Sequence, residues 1–182
     1  MVLYIILSLV VLLFIYILTI YNGFVKLSNT VKEAFSTMDV YLKKRWELIP
    51  NIVETVKGYV KHEKETLEEV VRLRNSPYDS MSNDSKIKAN EQLTHSISKV
   101  MALAESYPLL KANENFLDLS RQLAQVEEDI ANARKYYNAV VKKYNNKVQM
   151  FPSNLIAKKF GYSEKSMFEI SENQRENVKI NF

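Results

Sequence analysis

The sequence predicts an all-α protein with one transmembrane helix, and two observations indicate the all-α class. The chain has 182 residues but only 3 Gly and 4 Pro, so few residues interrupt a helix. Apolar residues recur at alternating spacings of three and four through most of the chain, as they do along the buried side of a packed helix. The chain contains no Cys, which excludes disulfide frameworks, thiol catalysis and thiolate metal sites.

Residues 1–21 form the first predicted element, a transmembrane helix. Apart from tyrosine hydroxyls, their only polar side chains are Ser8 and Thr19, and no charged side chain occurs before Lys26. About 20 helical residues cover the roughly 30 Å hydrocarbon core of a bilayer. A cleaved signal peptide would begin with basic residues, which this segment lacks, so we expect an uncleaved anchor. Basic residues follow the segment and none precedes it, which predicts a cytoplasmic C-terminal part.

An antiparallel helical bundle is predicted for residues 22–162, followed by a polar tail over residues 163–182. Four apolar runs predict the helices of this bundle, and they begin at Phe24, Ile52, Leu93 and Phe116. The last run continues without a miss to Tyr144 and predicts one long helix, while the second continues to Val70. The first run is continuous with the membrane span.

Pro50 separates the first two runs, and its effect decides the architecture. A turn at Pro50 gives an up-down four-helix bundle. A kink there gives instead one rod over residues 1–75 and a bundle of three long helices. We favour the turn because proline is well tolerated in the first turn of a helix. Gly58 is expected inside the second helix, where the absence of a side chain would allow a close helix crossing.

Residues 130–163 contain seven basic side chains and no acidic one. With a turn at Pro50 this stretch returns to the bilayer, where each cation near anionic lipid contributes about 1 kcal/mol. Residues 151–162 predict a short helix with apolar and basic faces, which lies either on the membrane surface or across the end of the bundle. The candidate contact residues for lipid or a partner are Lys43, Lys44, Arg45, Arg134, Lys142, Lys143, Phe151, Leu155, Lys158, Lys159 and Phe160.

The sequence gives no indication of a metal, cofactor or catalytic site. Neither His62 nor His95 has the Glu-x-x-His spacing of a di-iron bundle, and Glu91 with His95 could supply only two ligands. Phosphate-binding glycine loops and nucleophile motifs do not occur. Acidic runs balance most of the basic residues, leaving a formal net charge of +4. We therefore expect no enzymatic activity, no cofactor and no nucleic-acid partner.

Several strings together resemble the LemA family over nearly the whole chain. Among them are Leu48–Tyr59, Ala104–Pro108, Leu110–Phe116, Tyr136–Asn138 and Phe151–Ala157. The resemblance implies a bacterial single-pass protein of the inner membrane, with a cytoplasmic helical bundle and no established catalysis. It also implies an adaptor in membrane-protein quality control or envelope stress, near membrane-bound zinc metalloproteases. We therefore expect a scaffold or adaptor for a membrane protein partner, and the alternative is a module that binds the surface of anionic lipid.

Overall fold

The computed structural model describes residues 1–60, 64–74 and 78–168, and these residues form six α-helices and no β-strand. A 3-10 turn at Tyr78–Ser80 precedes the third helix. The predicted all-α class is confirmed, whereas the exact four-helix bundle is not. The helices are α1 (Val2–Lys57), α2 (Lys64–Arg74), α3 (Asn83–Glu105), α4 (Pro108–Lys111), α5 (Glu114–Gln149) and α6 (Ser153–Phe160).

Helix α1 passes through Pro50 without ending there, so the predicted turn at Pro50 is wrong. The alternative is correct that the helix continues through Pro50 and that three helices are long, namely α1, α3 and α5, but its rod ends at Lys57 and not at residue 75. Proline inside a helix costs about 3 kcal/mol. Burial on both sides of Pro50 offsets that cost, since one apolar stripe of α1 stays in the core. Its buried members there are Leu42, Trp46, Ile49, Ile52, Val53 and Val56.

Gly58 lies just beyond the last residue of α1, at the position after a helix where glycine is common. A side chain added there would meet only the Thr55 carbonyl oxygen, at an ordinary contact distance of 3.5 Å. The expected close helix crossing at Gly58 is therefore wrong, and the glycine marks the turn after α1. The second apolar run is accordingly divided between α1 and α2.

The chain divides into two compact units, one of residues 1–34 with 135–182 and one of residues 35–134. In the second unit, Arg45 of α1 pairs with Glu127 of α5, and Asn113 hydrogen-bonds to Tyr59, so these two helices run antiparallel. Contacts from Asp39 to Lys86 and from Arg45 to Thr94 show that α3 runs parallel to α1. Helix α2 packs against α3, and Glu69 of α2 pairs with Lys99 of α3 at 2.9 Å.

The core of the second unit contains an apolar layer crossed by a line of polar side chains. Asp39 accepts hydrogen bonds of 2.7 Å from the Tyr78 hydroxyl and the Lys86 ammonium. Helix α3 begins with a cap from Ser82, whose hydroxyl accepts from the Ser85 amide at 3.2 Å. The most deeply buried apolar residues are Met38, Leu42, Val56, Val70, Leu93, Val100, Leu110, Val126 and Ile130.

The first unit joins the beginning of α1 to the end of α5, to α6 and to an extended segment of residues 162–168, called the strap below. Tyr137, Val140, Val141 and Tyr144 form the buried stripe of α5 in this unit. Ser153 at the start of α6 donates its hydroxyl to the Lys147 carbonyl at 2.6 Å, which satisfies a carbonyl at the end of α5. Helix α6 ends at Gly161.

Candidate functional site at the membrane interface

The side chains of α1 change from exposed to buried between Leu18 and Phe24. Every large apolar side chain from Met1 to Phe14 is more than 45% exposed, whereas Phe24 is fully buried. The exposed stretch is the candidate membrane span. It belongs to α1, the one helix among the described residues that is long and apolar enough to cross a bilayer. About 20 residues at 1.5 Å each match the hydrocarbon thickness. The first contacts of α1 with the rest of its unit therefore begin at the end of the span.

A cluster of aromatic rings covers α1 at this boundary. The Tyr21 ring centroid lies 4.9 Å from that of Phe160 and 6.3 Å from that of Tyr162. Phe24 stacks on Tyr162 at 4.8 Å and meets Tyr144 edge-on at 6.3 Å. Tyrosine rings are favoured at the membrane interface because one end is apolar and the other is polar. The cluster therefore connects α5, α6 and the strap to the end of the span.

Lys147 extends its ammonium group into the same boundary, across the backbone of α1. A Cβ atom on Gly23 would lie 1.9 Å from Lys147 Nζ, so the absence of a side chain at Gly23 makes room for the ammonium. The ammonium lies 5.1 Å from the centre of the Phe24 ring, a cation–π distance. Burial lowers the pKa of Lys147 because the charged form loses hydration.

Helix α6 presents apolar and basic side chains outward beside the aromatic cluster. Leu155 is 60% exposed and Phe160 is 52% exposed, while Lys158 and Lys159 are exposed on the same short helix. Phe151, just before α6, is 77% exposed. Of the residues on α6, Ala157 is buried and Ile156 is half-buried. An amphipathic helix of this kind can insert apolar side chains at the headgroup level and pair lysines with lipid phosphate.

The structure brings seven of the predicted contact residues into the first unit. Lys142 and Lys143 are exposed on α5, in the turns before α6. The others in this unit are Phe151, Leu155, Lys158, Lys159 and Phe160. The remaining four belong to the second unit, where Lys43 and Lys44 are exposed and Lys43 pairs with Asp79 at 3.0 Å. Arg134 is half-buried, and burial lowers its pKa.

Arg45 is not a surface residue, so its selection as a contact candidate was wrong. Its side chain is 0% exposed and donates to Glu127 at 2.7 Å, to Thr94 at 2.8 Å, and to the carbonyl and side-chain oxygens of Asn90. The apolar periodicity of α1 could have indicated that Arg45 is buried. Arg45 lies three residues after Leu42 and therefore on the side of the helix that carries the buried stripe.

Among the described residues, no group of three His, Asp or Glu side chains converges on one point. His95 is exposed on α3, as is Glu91. His62, the other histidine considered as a ligand, lies outside the described residues.

Three residues of the interface were missed by the sequence reasoning as site residues: Gly23, Tyr144 and Lys147. Lys147 was counted in the acid-free basic stretch, but only the structure reveals its neighbour on α1. Glycine next to an aromatic residue at the end of an apolar span was an available signal for a close approach. Tyr144 was assigned to the core, where it lies.

A family model described as the LemA family matches residues 34–182. The chain is 24% identical to the protein named Protein LemA of Metamycoplasma hominis over 158 residues, which cover 86% of this chain and 72% of that protein. It is 23% identical over 175 residues to each of the magnetosome proteins MamQ 1 and MamQ 2 of Paramagnetospirillum magneticum. That match covers 82% of this chain and 64% of each magnetosome protein, so the chain spans less than two thirds of their length. The chain belongs to the LemA family.

Proposed function

We propose that this protein is a membrane-anchored helical scaffold without catalysis of its own, whose α6 and basic α5 end rest on anionic lipid. The observation that carries the proposal is the position of α6. This helix exposes Leu155, Phe160 and two lysines. It lies beside the residues at which the side chains of α1 change from exposed to buried. A helix so placed meets the headgroup region whenever residues 1–21 span the bilayer.

The charges of this region suit an anionic surface. Lys142, Lys143, Lys158 and Lys159 are exposed, and residues 130–163 contain no carboxylate that could neutralise them locally. Each cation near an anionic leaflet contributes about 1 kcal/mol. The apolar side chains of α6 add the hydrophobic effect of leaving water, about 25 cal/mol per Å² of buried apolar surface. Both contributions favour contact of α6 with the membrane over free exposure to water.

The distribution of basic residues supports an orientation with both units in the cytoplasm. Lys26, Lys32 and Lys43 all follow the span. The positive-inside rule places such a flank on the cytoplasmic side. In a bacterium, the membrane that borders the cytoplasm is the inner membrane, which we propose as the location.

The test places an environment-sensitive fluorophore on α6 of the full chain. Because the chain has no Cys, a Leu155→Cys variant carries one unique labelling site. We expect the label to be quenched by lipids that carry a quencher near the headgroup, in vesicles containing phosphatidylglycerol. The matched control is Tyr136→Cys, at a side chain of the same unit that is 52% exposed and lies about 20 Å along α5 from the end next to α6, and this label should remain unquenched.

A charge variant separates the electrostatic part of the contact. Replacing Lys142, Lys143, Lys158 and Lys159 by Gln should reduce the quenching at position 155 in anionic vesicles, because the attraction to headgroup phosphates is lost. Raising the salt concentration should act in the same direction on the unsubstituted chain. Equal quenching at positions 155 and 136, or quenching at 155 that does not change with either charge or salt, would contradict the proposed lipid contact.

A second candidate function is an adaptor that binds another membrane protein, and exposed apolar residues of the second unit favour it. Leu109 of α4 and Leu117 of α5 both expose apolar surface there. An exposed apolar side chain of this kind gains free energy when a partner covers it. The resemblance described above makes a membrane-bound zinc metalloprotease a partner to test. Photocrosslinking from position 109 in cells should then yield one dominant adduct with a membrane protein. A matched label at the exposed Glu128 is the control and should not yield that adduct.

A further inference from the structure

Two asparagines of α5 hold the strap through its backbone. Asn145 accepts the Lys165 amide hydrogen on Oδ1 and donates from Nδ2 to the Lys165 carbonyl, both at 2.9 Å. Asn138 does the same with the backbone of Phe168, at 2.9 and 2.8 Å. Each asparagine therefore satisfies both backbone groups of one strap residue, as a neighbouring β-strand would.

The spacing of these two pairs fits any extended peptide. Asn138 and Asn145 are seven residues apart on α5, which is about 10.5 Å at 1.5 Å per residue. Lys165 and Phe168 are three residues apart, and three extended residues span about 10 Å. Two helical turns therefore match three extended residues, so the asparagine pair forms a regular receptor for a peptide that runs antiparallel to α5.

Of the strap side chains, Phe168 is inserted into the unit, Tyr162 stacks on Phe24, and Lys165 lies over the Tyr144 ring at 5.3 Å. Phe168 is buried, with its ring 5.7 Å from that of Tyr137 in an edge-on contact. The Tyr137 hydroxyl also donates to the Ser166 carbonyl at 3.1 Å. By contrast, Ser163, Glu164, Ser166 and Met167 are exposed. Recognition by backbone hydrogen bonds with one side-chain pocket is the mode by which proteins bind extended segments of varied sequence.

We propose that this face of α5, formed by Tyr137, Asn138 and Asn145, is a docking site for an extended segment of a partner protein. The strap is its resting occupant and defines the chemistry of the ligand. The ligand is an extended peptide with an aromatic residue three positions after the residue that pairs with Asn145. When a partner segment binds, residues 163–168 of the strap leave α5, while Tyr162 stays stacked on Phe24.

This inference goes beyond the lipid contact proposed above and does not depend on it, because none of its residues belongs to α6. Occupation by the strap keeps the backbone-binding groups satisfied in the absence of a partner. A partner segment must compete with a tethered strap, so binding is weak unless the partner is held nearby on the same membrane. The site is therefore suited to regulated docking of membrane-bound partners.

The test uses a fluorescent synthetic peptide with the sequence of residues 161–168 and blocked ends. The receptor is the full chain carrying Phe168→Ala, which weakens the resident strap, in nanodiscs of phosphatidylcholine. We expect saturable binding by fluorescence anisotropy. Binding should weaken at least about tenfold when Asn138 and Asn145 of the receptor are both replaced by Ala, or when the final Phe of the peptide is replaced by Ala.

The neutral nanodiscs contain no anionic lipid, so failure of the lipid contact leaves this result unaffected. Absence of saturable binding, or equal binding to the doubly substituted receptor, would overturn the proposal. Self-association of the unsubstituted chain that disappears in the Asn138→Ala, Asn145→Ala variant would assign the face to a second copy of this chain and would also overturn it.

Hydrogen exchange on the unsubstituted chain tests the proposal without relying on any variant that must fold. Release of residues 163–168 breaks five hydrogen bonds and two ring contacts at the surface of the unit, whereas opening of α5 breaks a buried helix. We therefore expect the amides of Lys165 and Phe168 to exchange at least about a hundredfold faster than those of Val140 and Tyr144. Equal rates would mean that the strap separates only when the unit unfolds, and this would overturn the proposal.

Discussion

The ring of Tyr21, at the end of the apolar segment, lies 4.9 Å from the ring of Phe160 in α6. This contact connects the part of α1 that has no neighbours to a short helix with exposed apolar and basic side chains. Both residues belong to one compact unit. The contact therefore fixes α6 at the height of the span's end, which is where a lipid headgroup would lie.

Replacing the buried arginine should destabilise the second unit strongly. In Arg45→Ala, Glu127 and Asn90 lose a fully buried hydrogen-bonding partner, and we expect the free energy of unfolding to fall by about 3–5 kcal/mol. Urea unfolding of the full chain in detergent, followed by circular dichroism, measures the change. Lys44→Ala removes the exposed neighbour and should change stability by less than about 0.5 kcal/mol. Similar effects of the two substitutions would contradict the buried role of Arg45.

Replacing Pro50 by Ala should stabilise the protein. Proline has no amide hydrogen, so the Trp46 carbonyl lacks its helical donor in α1, and alanine restores that bond. We expect the free energy of unfolding to rise by about 1–3 kcal/mol, as measured by the same urea unfolding experiment. Glu47→Ala, at an exposed position of α1, serves as the control and should be close to neutral. Loss of stability in Pro50→Ala would indicate that the helix does not continue through this position.

The stability of the second unit should depend on pH through Tyr78. Burial and the hydrogen bond to Asp39 raise the pKa of Tyr78 far above its usual value of 10.0. The folded protein therefore keeps the phenolic proton at pH values where the unfolded chain loses it. Because the unfolded state then binds fewer protons, the free energy of unfolding falls as pH rises above about 10.

A Tyr78→Phe variant isolates this contribution. This variant lacks the ionisable group. Between about pH 10 and 11, the slope of its free energy of unfolding against pH should therefore be smaller than that of the unsubstituted chain, by up to about 1.4 kcal/mol per pH unit. At neutral pH the variant should be less stable by about 1 kcal/mol, because Asp39 loses a hydrogen bond. Parallel stability curves above pH 10 would show that Tyr78 does not keep its proton in the folded state.

The beginning of α3 depends on the hydroxyl of Ser82. Ser82→Ala removes the acceptor for the Ser85 amide and should lower the free energy of unfolding by about 1 kcal/mol. Ser82→Asp retains an acceptor and should restore most of that stability. The comparison of the two melting temperatures checks the assignment, and equal losses in both variants would argue against a capping role.

The sequence predicted those features that depend on periodicity over many residues. The apolar run from Phe116 to Tyr144 predicted α5, and the continuity of the first run with the span predicted the beginning of α1. The short helix after Pro152 was also predicted, and it is α6. In each case the local pattern and the packing favour the same structure, so the pattern alone was sufficient.

Where local preference and packing conflict, the sequence was a poor guide. Pro50 disfavours a helix locally, yet the buried stripe on both sides carries α1 through to Lys57. Arg45 resembles its exposed basic neighbours, and only partners 45 and more residues away make its burial possible. The pairing of Asn138 and Asn145 with the strap depends on backbone groups, which leave no mark in the sequence of the strap.

Photocrosslinking in cells from a photoreactive residue at Phe151 tests the central claim most directly. Phe151 is 77% exposed and precedes α6 in the unit that contains the span, so it should lie against the lipid headgroups. With both lipid and protein adducts scored by mass spectrometry, we predict that lipid adducts dominate at this position and are rare from a matched label at Tyr136, an exposed residue of the same unit about 20 Å along α5 from its end. Predominantly protein adducts at Phe151, or equal lipid adducts at the two positions, would contradict the claim that this end of the protein rests on the membrane.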